Sequence, residues 1–137
     1  MSPARVIAMA ALAFLGLSSL AGAIPMIVDP SGAALQMPLS LLQHSPFHSY
    51  LIPGILLFVF DGVLALWVLW LAMMAKPRCG LWTAFQGCVL LVWLVVECVM
   101  LRMVIWPHYL YGAVALVLVV SGLALRRENG HRPPAQG

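Results

Sequence analysis

LIPGILLFVFDGVLALWVLWLAMM, residues 51–74, decides the fold. Its only charged residue is Asp61. The apolar residues do not alternate with polar ones, so a strand with one wet face is excluded. A stretch of this length matches the roughly 20 residues a helix needs to cross a hydrocarbon core. Only a helix satisfies its own backbone there without a partner strand.

Three more runs of the same kind flank it. The four predicted spans cover about 4–24, 51–74, 81–103 and 107–125. The whole chain is 64% hydrophobic and 8% charged over 137 residues, with a mean hydropathy of +1.03. A soluble domain carries roughly 25% charged residues, so lipid must be the main solvent of this one. The isoelectric point near 9.1 does not point to nucleic acid, because the cations are too few and scattered to track phosphates. The expected fold is an all-α integral membrane protein, an antiparallel four-helix transmembrane bundle.

Cation placement predicts the threading. Arg5, Lys76, Arg78, Arg126, Arg127 and Arg132 all fall on one side of an even number of spans, and only Arg102 on the other. Cytoplasmic loops are enriched in Lys and Arg. Both termini are therefore expected in the cytoplasm of a bacterial cell, the chain crossing the inner (plasma) membrane. Trp70 and Trp82 then fall at the inner interface, and Phe47, Tyr50, Trp106 and Tyr109 at the outer one. Residues 1–126 form one four-span domain, and residues 127–137, polar with two prolines, read as a disordered cytoplasmic tail. Arg5, an apolar stretch and Ala21-Gly22-Ala23 also resemble a secretory signal with its cleavage site. Retention is the expectation, because the run is long for a signal core and Ser18 and Gly22 make a small-xxx-small packing step.

The long outer loop, residues 25–50, carries no Lys or Arg. VDPSG (28–32) reads as a type I turn with Pro30 second and Gly32 fourth. MPLSLLQ (37–43) reads as a short helical turn begun by Pro38. Ser45-Pro46 signals another helix start, with Ser45 as N-cap, and Pro53-Gly54 the top of the second span or a kink in it. A compact extracytoplasmic lid is expected. Its histidines, His44 and His48, stand four apart with Pro46 breaking the helical spacing. With His108 they are candidates for polar, solute-facing roles at the outer face, and no metal site is assigned to them.

Ionisable residues inside a span are costly and mark function by default. Asp61 and Glu97 lie equally far from position 79 in the link AKPRCG (75–80). In an antiparallel hairpin that puts both at one depth in the outer half of the bilayer. Desolvation and repulsion make ionising both expensive there. Gln86, Trp93 and Glu97 share one face of the third helix, expected to point inward. Ser18, Ser19 and Tyr111 reach the same layer, and Arg102 stands just above Glu97. Asp61, Glu97, Arg102, Gln86, Trp93 and Tyr111 are thus the candidates for binding a proton or small solute. A plain structural reading competes: each acid is neutral or paired with Arg102 or a tyrosine, and fixes helix register.

No hydrolase elbow, phosphate loop or HExxH motif occurs, and the spans carry no facing histidines for haem. No catalytic residue and no cofactor is assigned. Cys79, Cys88 and Cys98 form no C-x-x-C pair. Cys88 and Cys98 stand about 15 Å apart along a helix, too far for a disulfide.

DPSG (29–32), MPLSLL (37–42), SPFHSYLIPG (45–54) and WLVVE (93–97) followed by Arg102, in this order, resemble a group of small bacterial four-span inner-membrane proteins. That resemblance implies topology and no activity. In size and plan the chain is also similar to DoxX-like proteins, which implies membrane-embedded redox or quinone-linked chemistry. The leading expectation is a non-enzymatic protein that binds a proton or small solute, or a subunit of a larger membrane complex or homo-oligomer. The rivals are the redox enzyme and a purely structural protein. The lipid bilayer is its first partner.

Overall fold

The computed structural model describes residues 2–43, 45–102 and 104–130, leaving out the side chains of 35, 129 and 130. Among these residues every regular element is helical. Four helices are long and apolar enough to cross a membrane: α1 (Pro3–Val28), α2 (Leu51–Met73), α3 (Cys79–Leu101) and α4 (Trp106–Gly130).

The helix starts and stops have local causes. Ser2 Oγ accepts the Arg5 amide at 3.3 Å and Pro3 follows it, where a missing N–H costs nothing. Pro25 does not end α1, which continues to Val28 with the Asp29 amide bonded to the Pro25 carbonyl at 2.9 Å. At the end of α2 the Lys76 amide reaches back to the Leu71 carbonyl at 3.0 Å, around Ala75 in the left-handed region at φ 52°. This is the Schellman closure, here on alanine rather than the usual glycine. Arg5 donates from Nε to the Ala72 carbonyl (2.8 Å) and from Nη2 to that of Met73 (2.7 Å). It thereby satisfies the carbonyls that a helix end leaves orphaned. α4 runs four residues into the segment expected as a disordered tail, so 127–130 are helical, while 131–137 lie outside the described residues.

The helices pack as two close pairs, α1 with α2 and α3 with α4. The pairs meet along an α1–α4 contact and a sparser α2–α3 seam, although α2 and α3 share the short link 74–78. Glycines set the close approaches. A Cβ on Gly16 would lie 2.7 Å from Leu66, and one on Gly62 2.7 Å from Leu20. In the other pair, a Cβ on Gly80 would lie 2.6 Å from the Arg126 amide, and one on Gly122 would run into the Ala84 backbone. Ser18 and Gly22, expected as a packing step, do not make the tight contact: a Cβ on Gly22 meets only Leu57, at 3.8 Å. The main core runs through Ala8, Leu12, Leu15, Val68, Leu90 and Leu118.

α2 is not regular. Residues Leu57–Val63 wind as a π-helix, with the Leu64 amide bonding the Val59 carbonyl. Wide turns of this kind concentrate at functional sites, and this one carries Asp61.

The lid has its own small core of Met26, Leu42 and Tyr50, with Met37, Phe47 and Leu57 against it. The turn at Asp29–Gly32 forms as expected, with the Gly32 amide on the Asp29 carbonyl at 3.1 Å. Asp29 Oδ1 also accepts the Ser31 hydroxyl at 2.6 Å. Leu39–Leu42 forms a 3-10 turn. Tyr50 ties these parts together: its hydroxyl donates to the Pro38 carbonyl (2.7 Å) and its amide to that of Pro30 (2.8 Å). Burial pushes the Tyr50 phenol above its ordinary range. Ser45 does not cap a helix. Its Oγ donates to the Leu42 carbonyl and accepts the Phe47 amide, closing a turn, and α2 begins only at Leu51.

Gly122→Ala should cost about 1–3 kcal/mol by forcing α3 and α4 apart. Gly112→Ala, where an added Cβ meets nothing within 4 Å, should cost nothing. Thermal unfolding of the two variants in one detergent checks the contrast.

Candidate functional site

The third helix presents Gln86, Trp93 and Glu97 inward, as their spacing predicts: Gln86 is fully buried and the other two partly so. They do not serve one site. Gln86 meets Asp61, donating from Nε2 to the Asp61 carboxylate at 3.3 Å and to the Phe60 carbonyl at 2.9 Å. Glu97 lies eleven residues further along α3, roughly 16 Å at 1.5 Å per residue. The expected common depth of Asp61 and Glu97 is therefore wrong. The Trp67–Trp82 contact (centroids 4.9 Å apart) and the Asp61–Gln86 bond are both centred near residue 74, not 79. The chain reverses at Ala75, and the rest of the link already belongs to the ascent into α3. Asp61 consequently sits midway along α2, and Glu97 stands level with its first turns, beside Pro53 and Leu57.

Glu97 is paired with His108. Glu97 Oε2 and His108 Nε2 are 3.1 Å apart, with the histidine side chain 5% exposed and the glutamate 31%. The other ring nitrogen, Nδ1, accepts the Ile105 amide at 3.1 Å, while the His108 amide donates to the Ile105 carbonyl at 2.9 Å. The side chain in the third helical position thus caps the Ile105 amide, which is one half of a capping box; the return bond runs to the Ile105 backbone carbonyl. Because Nδ1 accepts an N–H, the ring proton resides on Nε2 and points at Glu97. The carboxylate thus has an oriented donor that carries no charge of its own.

His108 was expected at the outer face with the lid histidines. It does stand at the lid end, in the first turn of α4, but buried against Glu97 rather than in the lid. The equal-distance argument, applied to the α3–α4 link, finds the pair: 97 and 108 are centred on residues 102–103, inside that link. His48 is exposed in the lid, and His44 lies outside the described residues. Arg102 does not reach Glu97. It is exposed at the end of α3 with φ 53°, and the partner within reach of the Glu97 carboxylate is His108. No three His, Cys, Asp or Glu side chains among the described residues converge in a way that could hold a metal ion.

Two cavities meet at Glu97. The first, about 160 Å³, lies within the bundle and takes walls from all four helices. Ser18, Ser19, Trp93, Glu97, His108 and Tyr111 supply its polar and aromatic lining. Ser18 Oγ spends its proton on the Leu15 carbonyl at 3.3 Å, leaving lone pairs for the cavity. Tyr111 is braced by Phe14, centroids 5.8 Å apart. The second cavity, about 200 Å³, lies beneath the lid between Tyr50, Leu42, Pro53, Trp93 and Glu97. The lid therefore roofs Glu97, not Asp61. No family model, curated protein or solved structure matches the chain, so its chemistry rests on this geometry.

His108→Ala should cost about 1–3 kcal/mol by leaving a half-buried carboxylate and a helix-start amide without partners. Glu97→Gln should cost less, because an amide oxygen still accepts from Nε2–H. Unfolding free energies of both single variants and the double variant measure the coupling.

Proposed function

We propose that this chain is a multi-pass protein of a bacterial inner membrane, both termini cytoplasmic, which binds a small positively charged solute in the cavity at Glu97. The threading is supported by five of the six described Lys and Arg residues, Arg5, Lys76, Arg78, Arg126 and Arg127, which share one end of the bundle, with Arg102 at the other. The lid and the site then face outward. The apolar outer surfaces, with Leu17, Val92, Val95 and Val120 exposed, suit acyl chains.

The observation that carries the binding proposal is the chemical bias of the lining. The cavity holds one carboxylate, three hydroxyl groups and two large aromatic residues, and no Lys or Arg. Its imidazole, His108, is oriented to donate to the carboxylate rather than to offset its charge. A site that offers acceptors and aromatic surface around an uncompensated carboxylate favours an ammonium group. Its volume suits a small one.

The test is ligand-observed NMR on the protein in lipid nanodiscs with propylammonium, propanol and propionate, which share one shape and differ in charge. Propylammonium should bind, propanol weakly and propionate not at all. Glu97→Gln should weaken propylammonium binding by about tenfold to a hundredfold, the value of one charge-assisted hydrogen bond. Arg102→Gln should leave it unchanged. Equal binding of the three probes, or an unaffected Glu97→Gln variant, overturns the assignment.

A further inference from the structure

Asp61 and Gln86 form a second polar centre, separate from the lid-end site. Both are fully buried. Around them α1 contributes Gly16 and Leu20, packed on Gly62, and α3 contributes Gln86 itself. The charged group within electrostatic reach is Glu97, of the same sign as an ionised Asp61. Among the described residues no Lys, Arg or His is bonded to either residue.

The hydrogen bonds leave a specific remainder. The 2.9 Å bond from Gln86 Nε2 to the Phe60 carbonyl fixes the orientation of the amide, because a reversed amide would set two carbonyl oxygens against each other. Asp61 Oδ1 takes a share of the same NH₂ group. Asp61 Oδ2 and Gln86 Oε1 are then both buried and both without a donor. Two stranded acceptors on one hydrogen-bonded pair in a low-dielectric interior are costly, and a bare carboxylate is more so. One added proton resolves both: on Oδ2 it turns an acceptor into a donor, and Oε1 is the acceptor it lacks. None of the cavities at Glu97 reaches this pair, so a proton fits where a hydrated cation does not.

We propose that Asp61 is a midspan proton-binding site, carrying a proton on Oδ2 that it donates to Gln86 Oε1. The proton comes from water, and no bond other than O–H forms. The reciprocal pair latches α2 to α3 across the sparsest seam of the bundle. On one side of the latch stands the Trp67–Trp82 contact. On the other is an apolar cleft of about 430 Å³ between Leu56, Phe60, Phe85 and Trp93. Loss of the proton removes the Oδ2–Oε1 half of the latch, strands Gln86 Oε1 against a buried carboxylate and leaves only the Nε2 bonds, so release of the proton weakens this seam.

Infrared spectroscopy of the protein in lipid reads the proton directly. The Glu97→Gln variant at neutral pH should keep a protonated-carboxyl C=O band, which Asp61→Asn should remove. Asp61→Asn should melt like the unmodified protein, because its amide N–H takes the place of the proton. Asp61→Leu and Gln86→Leu should melt lower, by roughly 5 °C for each kcal/mol lost. An infrared spectrum showing only ionised carboxylates overturns the proposal, as does an Asp61→Asn variant as unstable as Asp61→Leu. A melting temperature that rises with sodium but not with choline also overturns it, in favour of a bound metal cation. Propylammonium binding at Glu97 is a separate readout, so failure at one site is not failure at the other.

Discussion

Backbone contact through glycine is the constraint on which the rest of this structure depends. Helices as apolar as these gain little by exchanging acyl chains for each other's leucines, so their association rests on close packing and internal hydrogen bonds. Gly16 and Gly62 bring α1 against α2, and Gly80, Gly87 and Gly122 bring α3 against α4. Pairing the helices so tightly leaves the contacts between the pairs underfilled. The α2–α3 seam is closed by an aromatic contact and one polar pair. At the lid end the small side chains of Ser18, Ser19 and Gly22 leave a cavity against Trp93 and Tyr111. The site is therefore a consequence of how the bundle packs, not an addition to it.

The two acids within the long apolar helices answer the cost of burial in different ways. Glu97 keeps a third of its side chain exposed and receives a donor whose tautomer the helix start of α4 dictates. Asp61 keeps no exposure and has only an amide for company. The first arrangement leaves a carboxylate with spare acceptor capacity facing open volume, which suits an exchangeable ligand. The second leaves no room for one, which suits a bound proton. The π-helical turn serves the second, since it carries Asp61 and sets the Phe60 carbonyl where Gln86 can bond it.

Much of the architecture was legible in the residue order. Apolar runs longer than a turn or two can only be helices when the solvent is lipid, and all four appear within a few residues of their predicted limits. The lid turns followed from Pro30 and Pro38, which restrict the backbone, and from Gly32, which takes the left-handed φ of 83° at no steric cost. The errors have physical causes. Pro25 did not stop α1: it forfeits only its own amide's bond to the Ala21 carbonyl, and the helix closes one turn later with the Asp29 amide on the Pro25 carbonyl. Ser45 met neighbouring backbone groups before a helix could use it. The depth of Asp61 relative to Glu97 failed because the symmetry point of a hairpin is where the backbone reverses, at Ala75, and not the middle of the polar letters.

By itself, then, the sequence determined what each helix had to be: its length, its end that bears arginine, and the face of α3 on which Gln86, Trp93 and Glu97 fall. These follow from local periodicity and from the cost of exposing peptide groups or charge to hydrocarbon. The tertiary structure alone decided which acid met which partner. That choice depends on the axial register between helices, which glycine contacts and the left-handed Ala75 set, and the eleven residues between Gln86 and Glu97, about three turns, leave Glu97 with His108 rather than Asp61 as its neighbour.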